Sequence, residues 1–177
     1  MVRIAPLDPE NLSPEQKEVH DAIASGPRGE VVGPLAVWLN RASLADKAQK
    51  LGQYCRYDSS LEPRLSELAI LVTARVWDAA FEWQSHEPPA RAAGLGHEII
   101  ESLRRDEEPN FDNPDEAVVY EVSRTLNLER GISQDLYDRA ELLLGKDGLV
   151  DLIGVLGYYA LISMTIKAFD VDPIREE

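Results

Sequence analysis

Glu67, Glu82 and His86 stand within residues 64–94, RLSELAILVTARVWDAAFEWQSHEPPARAAG, a stretch otherwise apolar and helical in pattern. Glu82 and His86 are four apart, so on a helix they project side by side from successive turns. A carboxylate beside an imidazole in partly apolar surroundings can move either group's proton affinity toward neutrality, and general acid–base chemistry requires that. Glu67 has two readings: a first-turn acid complementing the dipole of a helix that starts near Pro63, or a third member of the same set. His86 could equally be a satisfied, partly buried histidine. A metal reading makes Glu67, Glu82 and His86 three ligands, but no second clustered histidine supports it.

These residues need helices to hold them. Leu65, Leu68, Ala69, Val72 and Val76 recur at helical spacing toward a core, with Glu67, Ala74 and Asp78 on another face. Pro88 and Pro89 cannot donate to the carbonyls of Gln84 and Ser85, so the helix bearing His86 is expected to end or kink just after it. A new segment then runs from about Pro88 to Ala93 and closes at Gly94. That places His86 in a last turn, where the dipole favours imidazolium. Ser13, Pro14 and Gln16 fit a capping box opening a helix to about Ser25, and residues 26–34 read as a loop. Ser43 caps a second helix ending before Asp58–Pro63. Further helices are expected at 97–104, 114–127 with Asn113 as N-cap, 133–144 and 146–169. No segment alternates convincingly as a strand. The fold class is all-α, in a single domain over 1–177 with 1–32 an N-terminal helical extension.

Eighteen basic against thirty-two acidic side chains give a net charge of −14, which repels nucleic acid and anionic membrane alike. The one cysteine, Cys55, admits no intrachain disulfide or two-thiol couple and reads as a packing residue. Residues 149–169 reach membrane-spanning length but carry Asp151, Ser163 and Lys167, and read as a core helix. The N-terminus lacks the apolar core of a secretory signal, and a cytoplasmic soluble protein is expected.

The segment from Leu65 to Gly94, with ELAILVTAR, FEW-x-x-H and the turn ending in AAGL, resembles the central motif of the carboxymuconolactone decarboxylase and alkyl hydroperoxidase D superfamily. The similarity extends from about Gly33 to VDLIGVLGYYALISMTIKAFDV near the C-terminus. It implies a compact multi-helix fold packed around a buried central hairpin. In the hydroperoxidase branch a Glu-x11-Cys-x2-Cys-x3-His pattern carries thiol chemistry. With His86 as the histidine, the glutamate is Glu67, while Ala79 and Glu82 occupy the cysteine positions. Thiol–disulfide turnover needs both sulfurs, so the resemblance is to the cysteine-free decarboxylase-like branch.

That branch implies a carboxy-lyase-like enzyme that needs no cofactor, because an unsaturated lactone can itself accept the electrons released with carbon dioxide. By this resemblance His86 is the proton donor, Glu82 its partner and Glu67 a second relay or orienting group. Arg75 is the candidate carboxylate anchor, with Lys167 behind it, although Arg75 could equally make a structural ion pair with Asp78 or Glu82. Trp83 and Tyr158 are candidates for the substrate wall, although Phe81, Trp83, Tyr158 and Tyr159 read most simply as core or interface aromatics. The expected partner is a small carboxylated substrate, and the expected assembly a homo-oligomer of two, three or six copies. Two competing functions are a cysteine-dependent hydroperoxidase and a silent oligomeric binding protein. The sign of the latter would be a filled core around His86 with no cavity.

Overall fold

The computed structural model describes residues 3–173. Met1, Val2 and residues 174–177, part of the domain expected over 1–177, lie outside the described residues. Among the described residues there is no strand, and the chain is built from helices α1 (Pro14–Ala24), α2 (Gly33–Leu39), α3 (Ala42–Gln53), α4 (Pro63–Val76), α5 (Ala80–Ala92), α6 (His97–Arg104), α7 (Pro114–Glu129) and α8 (Gln134–Phe169).

The local signals explain most boundaries. Gln16 N–H donates to Ser13 Oγ at 3.2 Å and Ser13 N–H to Gln16 Oε1 at 3.0 Å, closing the capping box that opens α1. α4 and α7 start on Pro63 and Pro114, whose missing N–H costs nothing in a first turn. Asn113 caps α7 by backbone position only: its side chain donates to Glu116 Oε2 instead. α3 begins one residue before Ser43, with Arg41 at the cap. Gly145, at φ 69° and ψ 173°, breaks α8 into the two arms expected over 133–144 and 146–169.

Two expectations are corrected. Residues 26–34 are not loop throughout, because α2 starts at Gly33; Pro34–Leu39 is buried on every side, so it carries no polar face whose period could announce a helix. More consequentially, α5 does not end after His86 but continues through Pro88 and Pro89 to Ala92, with Gly94 beyond it at φ 90°. An internal proline costs a helix about 3 kcal/mol. Burial of Trp83, His86 and Ala90 where α5 packs on α4 offsets that cost. His86 is therefore mid-helix, and a helix terminus does not set its charge.

α4 is the centre of the molecule and packs against α5, α6, α7 and α8. Residues 65–74 are all buried, so the one-sided helix implied by the apolar spacing is in fact enclosed on nearly every face. Its entry is fixed by Arg64, which pairs with Asp115 at 2.7 Å and Glu116 at 2.5 Å across to α7. By length and composition α8 could cross a membrane. Its second arm, however, supplies core residues such as Leu152, Val155 and Tyr159, and α8 packs on α4 and α7.

Between α3 and α4 the chain makes a π-helical turn, Tyr54–Asp58. Asp151 of α8 holds it: Tyr54 Oη donates to Asp151 Oδ1 at 2.6 Å, and Ser60 donates from N–H and Oγ to Oδ2, each at 2.7 Å. π-Turns recur beside functional sites, and this one carries Arg56.

Candidate functional site

α4 and α5 bring the three residues singled out by spacing into one buried cluster. His86 Nδ1 lies 2.7 Å from Glu67 Oε2, and Nε2 lies 3.3 Å from Glu82 Oε2. All three side chains are nearly fully buried, His86 at 3% exposure. Burial alone would push the imidazole's proton affinity down. The hydrogen-bonded Glu67 and then Glu82 outweigh it, and the His86 pKa stands above its ordinary value. Glu67, five residues after the cap residue Glu62 and past the first turn of α4, is too deep to be the first-turn acid of the alternative reading.

The contacts on the two ring nitrogens are unequal. Glu67 makes a short directed hydrogen bond, whereas the Glu82 contact has the distance of an ion pair without hydrogen-bond geometry, and Glu82 Oε2 is left without a hydrogen-bond partner. Among the described residues, no group of three or more His, Cys, Asp or Glu is arranged to hold a metal ion.

A cavity of about 540 Å³ opens against this cluster, walled by Glu82, His86, Ser85 and Phe81 of α5, by Tyr159 and Ile162 of α8, by Arg56 of the π-turn, and by Arg28, Glu30, Val32, Pro34 and Leu35 from the segment between α1 and α2 and the start of α2. Residues 28–32, between α1 and α2, thus form part of the wall. Among the described residues neither Arg28 nor Arg56 has a carboxylate within ion-pair distance: Arg28 donates to Tyr158 Oη at 3.3 Å, and Arg56 lies 5.4 Å from the Tyr57 ring centroid. Tyr159 stands edge-on to His86 with ring centroids 4.9 Å apart. Its hydroxyl is buried without a partner, and burial with the nearby Glu82 charge holds it protonated, its pKa well above the usual tyrosine range.

Two glycines make this wall possible. A Cβ on Gly52 would overlap the Tyr158 hydroxyl and the Arg28 guanidinium, and one on Gly33, at φ 56°, would overlap the Phe81 ring.

The remaining sequence candidates fall elsewhere. Arg75 and Trp83 line a different cavity on another face of α5. Tyr158 is behind the wall, under Arg28 and against Trp38 and Tyr159. Lys167 is tied to Asp78 Oδ2 at 3.0 Å. Cys55 is buried, and burial pushes its thiol up to about 11. Arg28 and Arg56 carried no expectation, and Tyr159, named among the aromatics, was not singled out for the wall. The two arginines lie in irregular backbone with no periodicity to aim them, and of two adjacent tyrosines only packing decides which faces the cavity.

No protein-family model matches the sequence, and no curated protein is similar to it at a significant level. Solved structures do match. A protein of unknown function from Agrobacterium tumefaciens, put forward as the antioxidant defence protein AhpD, superposes with a TM-score of 0.66 at 18% identity, over 73% of this chain and 90% of that one. An uncharacterized peroxidase-related protein from Silicibacter sp. TM1040 superposes with a TM-score of 0.77 at 13% identity, over 98% of this chain and 92% of that one. The fold is the all-α, alkyl hydroperoxidase D-like fold.

Proposed function

We propose that the chain is a cofactor-independent acid–base enzyme of the carboxymuconolactone decarboxylase type, acting on a small carboxylated lactone or related ring compound. The observation that carries this reading is His86, buried with a carboxylate at each ring nitrogen and forming part of a cavity wall that presents two arginines without acidic partners. In a chain of net charge −14, such arginines give an anionic substrate a local reason to enter.

Glu67 orients the ring and keeps it protonated. The bond to the departing carboxylate breaks, its electron pair moves into the conjugated carbonyl as an enolate, and carbon dioxide leaves. The enolate oxygen is stabilised by the Tyr159 hydroxyl and an arginine. The proton at Nε2, steadied by Glu82, passes to the ring carbon, and solvent restores it. The balance needs no oxidant or reductant.

The names of the structural neighbours favour peroxide chemistry as a second reading. That reading needs a thiolate, and this chain has Ala79 and Glu82 where the hydroperoxidase pattern has its cysteines, with its one thiol buried and protonated. The cavity against His86 favours an enzyme over the silent binding protein, whose sign is a filled core there.

The test is carbon dioxide release from a panel of carboxylated lactones by wild type and His86→Ala, with folding checked by circular dichroism. A loss of about 10²–10⁴-fold, the span of general acid catalysis, is expected. Unchanged release would remove His86 from the mechanism.

We propose that the expected homo-oligomer forms through the second arm of α8. Val150, Ile153, Leu161 and Met164 are exposed on one face of it, Val150 at 70%. Met164→Glu should shift the sedimentation coefficient toward that of a single chain, and an unchanged assembly would place the interface elsewhere.

A further inference from the structure

α5 separates two cavities that share no lining residue. Glu82, Ser85 and His86 face the one described above; Ala80, Trp83 and Gln84 face the other, of about 270 Å³, which is completed by Arg75, Asp78, Ala79 and Arg104. The charges around this second cavity do not cancel. Asp78 is engaged by Lys167 at 3.0 Å. Arg104 is engaged by Glu87 at 2.5 Å and Glu101 at 3.5 Å, and its guanidinium lies 5.1 Å from the Trp83 ring centroid. Among the described residues the Arg75 side chain has neither an ion pair nor a hydrogen bond, and its Nε is buried without a partner.

Three further features point the same way. α5 opens at Ala79, whose side chain cannot cap it, so the N–H groups of its first turn have no side-chain acceptor beside the cavity. Gln84 Oε1 is also buried without a partner and calls for a donor. The Trp83 indole, whose N–H is committed to Glu87 Oε2 at 3.0 Å, offers an aromatic wall between the two.

We infer that this cavity is a second ligand site, for a small aromatic carboxylate that carries a hydrogen-bond donor. The carboxylate pairs with Arg75 and the N-terminal N–H groups of α5, the ring lies along Trp83, and the donor reaches Gln84. In this proposal Arg75 keeps the anion-anchoring role that the resemblance implied, but at a site separate from His86, and the proposal does not depend on the chemistry proposed there. A bidentate guanidinium–carboxylate pair in a partly enclosed cavity is among the stronger polar contacts available to a ligand of this size.

The experiment is isothermal titration of the full chain with 4-hydroxybenzoate, benzoate and phenol, using wild type, Arg75→Gln, Gln84→Leu and Arg28→Gln, each checked for folding by its thermal melt. Wild type is expected to bind both carboxylates and not phenol, with 4-hydroxybenzoate at least threefold tighter. Arg75→Gln should weaken both carboxylates at least tenfold. Gln84→Leu should bring 4-hydroxybenzoate to the affinity of benzoate, and Arg28→Gln should leave both unchanged. Saturable binding that survives Arg75→Gln, binding lost with Arg28→Gln, or no saturable binding by wild type would each overturn the assignment.

Discussion

Asp151 and Glu82 are both buried carboxylates on helices of the core, at 8% and 4% exposure, yet they are used in opposite ways. Asp151 receives three hydrogen bonds, from the Tyr54 hydroxyl and from the backbone and side chain of Ser60. Its burial cost is offset by those donors, which hold its carboxyl below the usual aspartate range. Glu82 Oε2 has no hydrogen-bond donor, only an ion-pair distance to His86, and Glu82 is part of a cavity wall. A satisfied buried acid is a structural clamp. One left short of partners beside open volume is where a molecule of this kind keeps unspent electrostatic capacity for a ligand. Arg64 and Arg75, at the two ends of α4, also differ: the first is hydrogen-bonded to Asp115 and ion-paired with Glu116, while the side chain of the second has no partner among the described residues.

The largest expected effect separates the two acids by activity. Glu82→Gln should lower kcat/KM for the proposed lactone substrate by about 10²–10⁴-fold while leaving the melting temperature close to wild type. Asp151→Ala should do the reverse: lost charge-assisted hydrogen bonds and stranded donors cost about 3 kcal/mol of stability by denaturant titration, with activity per folded molecule within a few-fold of wild type. An Asp151→Ala enzyme that stays folded and is inactive would erase the distinction.

Next is the wall itself. Gly52→Ala should displace Tyr158 and Arg28, costing about 1–3 kcal/mol as overpacking does and raising KM for an anionic substrate more than it lowers kcat. A change confined to kcat would show that Arg28 does not hold substrate.

The pH response should distinguish the clusters by sign. His86 has a folded pKa above its unfolded value, so its contribution to stability is fully present below about pH 6.5, the unfolded imidazole pKa, and is lost as pH rises through the raised value. Asp151 has a depressed pKa, so its contribution is present above about pH 3.9 and is lost as pH falls through the lowered value. Denaturant titrations across pH should lose the first dependence in His86→Ala and the second in Asp151→Asn. A His86→Ala profile parallel to wild type above pH 6.5 would mean that the imidazole is not held as a cation.

The smallest effect belongs to Cys55→Ala, which should leave lactone turnover unchanged and cost about 1 kcal/mol for a slightly underfilled core. Loss of a peroxide activity on that substitution would revive the thiol reading despite the thiol's burial.

Much of this molecule was legible before it was folded. The capping box at Ser13, the prolines at 63 and 114 and Gly145 are local signals whose physics acts within a turn or two, and each marks an element boundary where expected. The pairing of Glu82 with His86 is likewise local, fixed by the rise of one helix. The Pro88-Pro89 pair was misleading because an intrinsic cost of about 3 kcal/mol per internal proline is smaller than what burial of α5 against α4 returns.

The sequence by itself therefore determined the all-α architecture, the Glu82–His86 register and the absence of a cysteine pair. Each follows from composition or from spacing inside a single helix. Only the tertiary structure decided that Glu67 reaches His86 across nineteen residues, that Tyr159 and not Tyr158 faces the cavity, that Arg28 and Arg56 line that cavity from irregular backbone, and that Arg75 serves another. Those outcomes depend on how helices distant in sequence pack against one another. Packing is a property of the whole core, and no local periodicity encodes it.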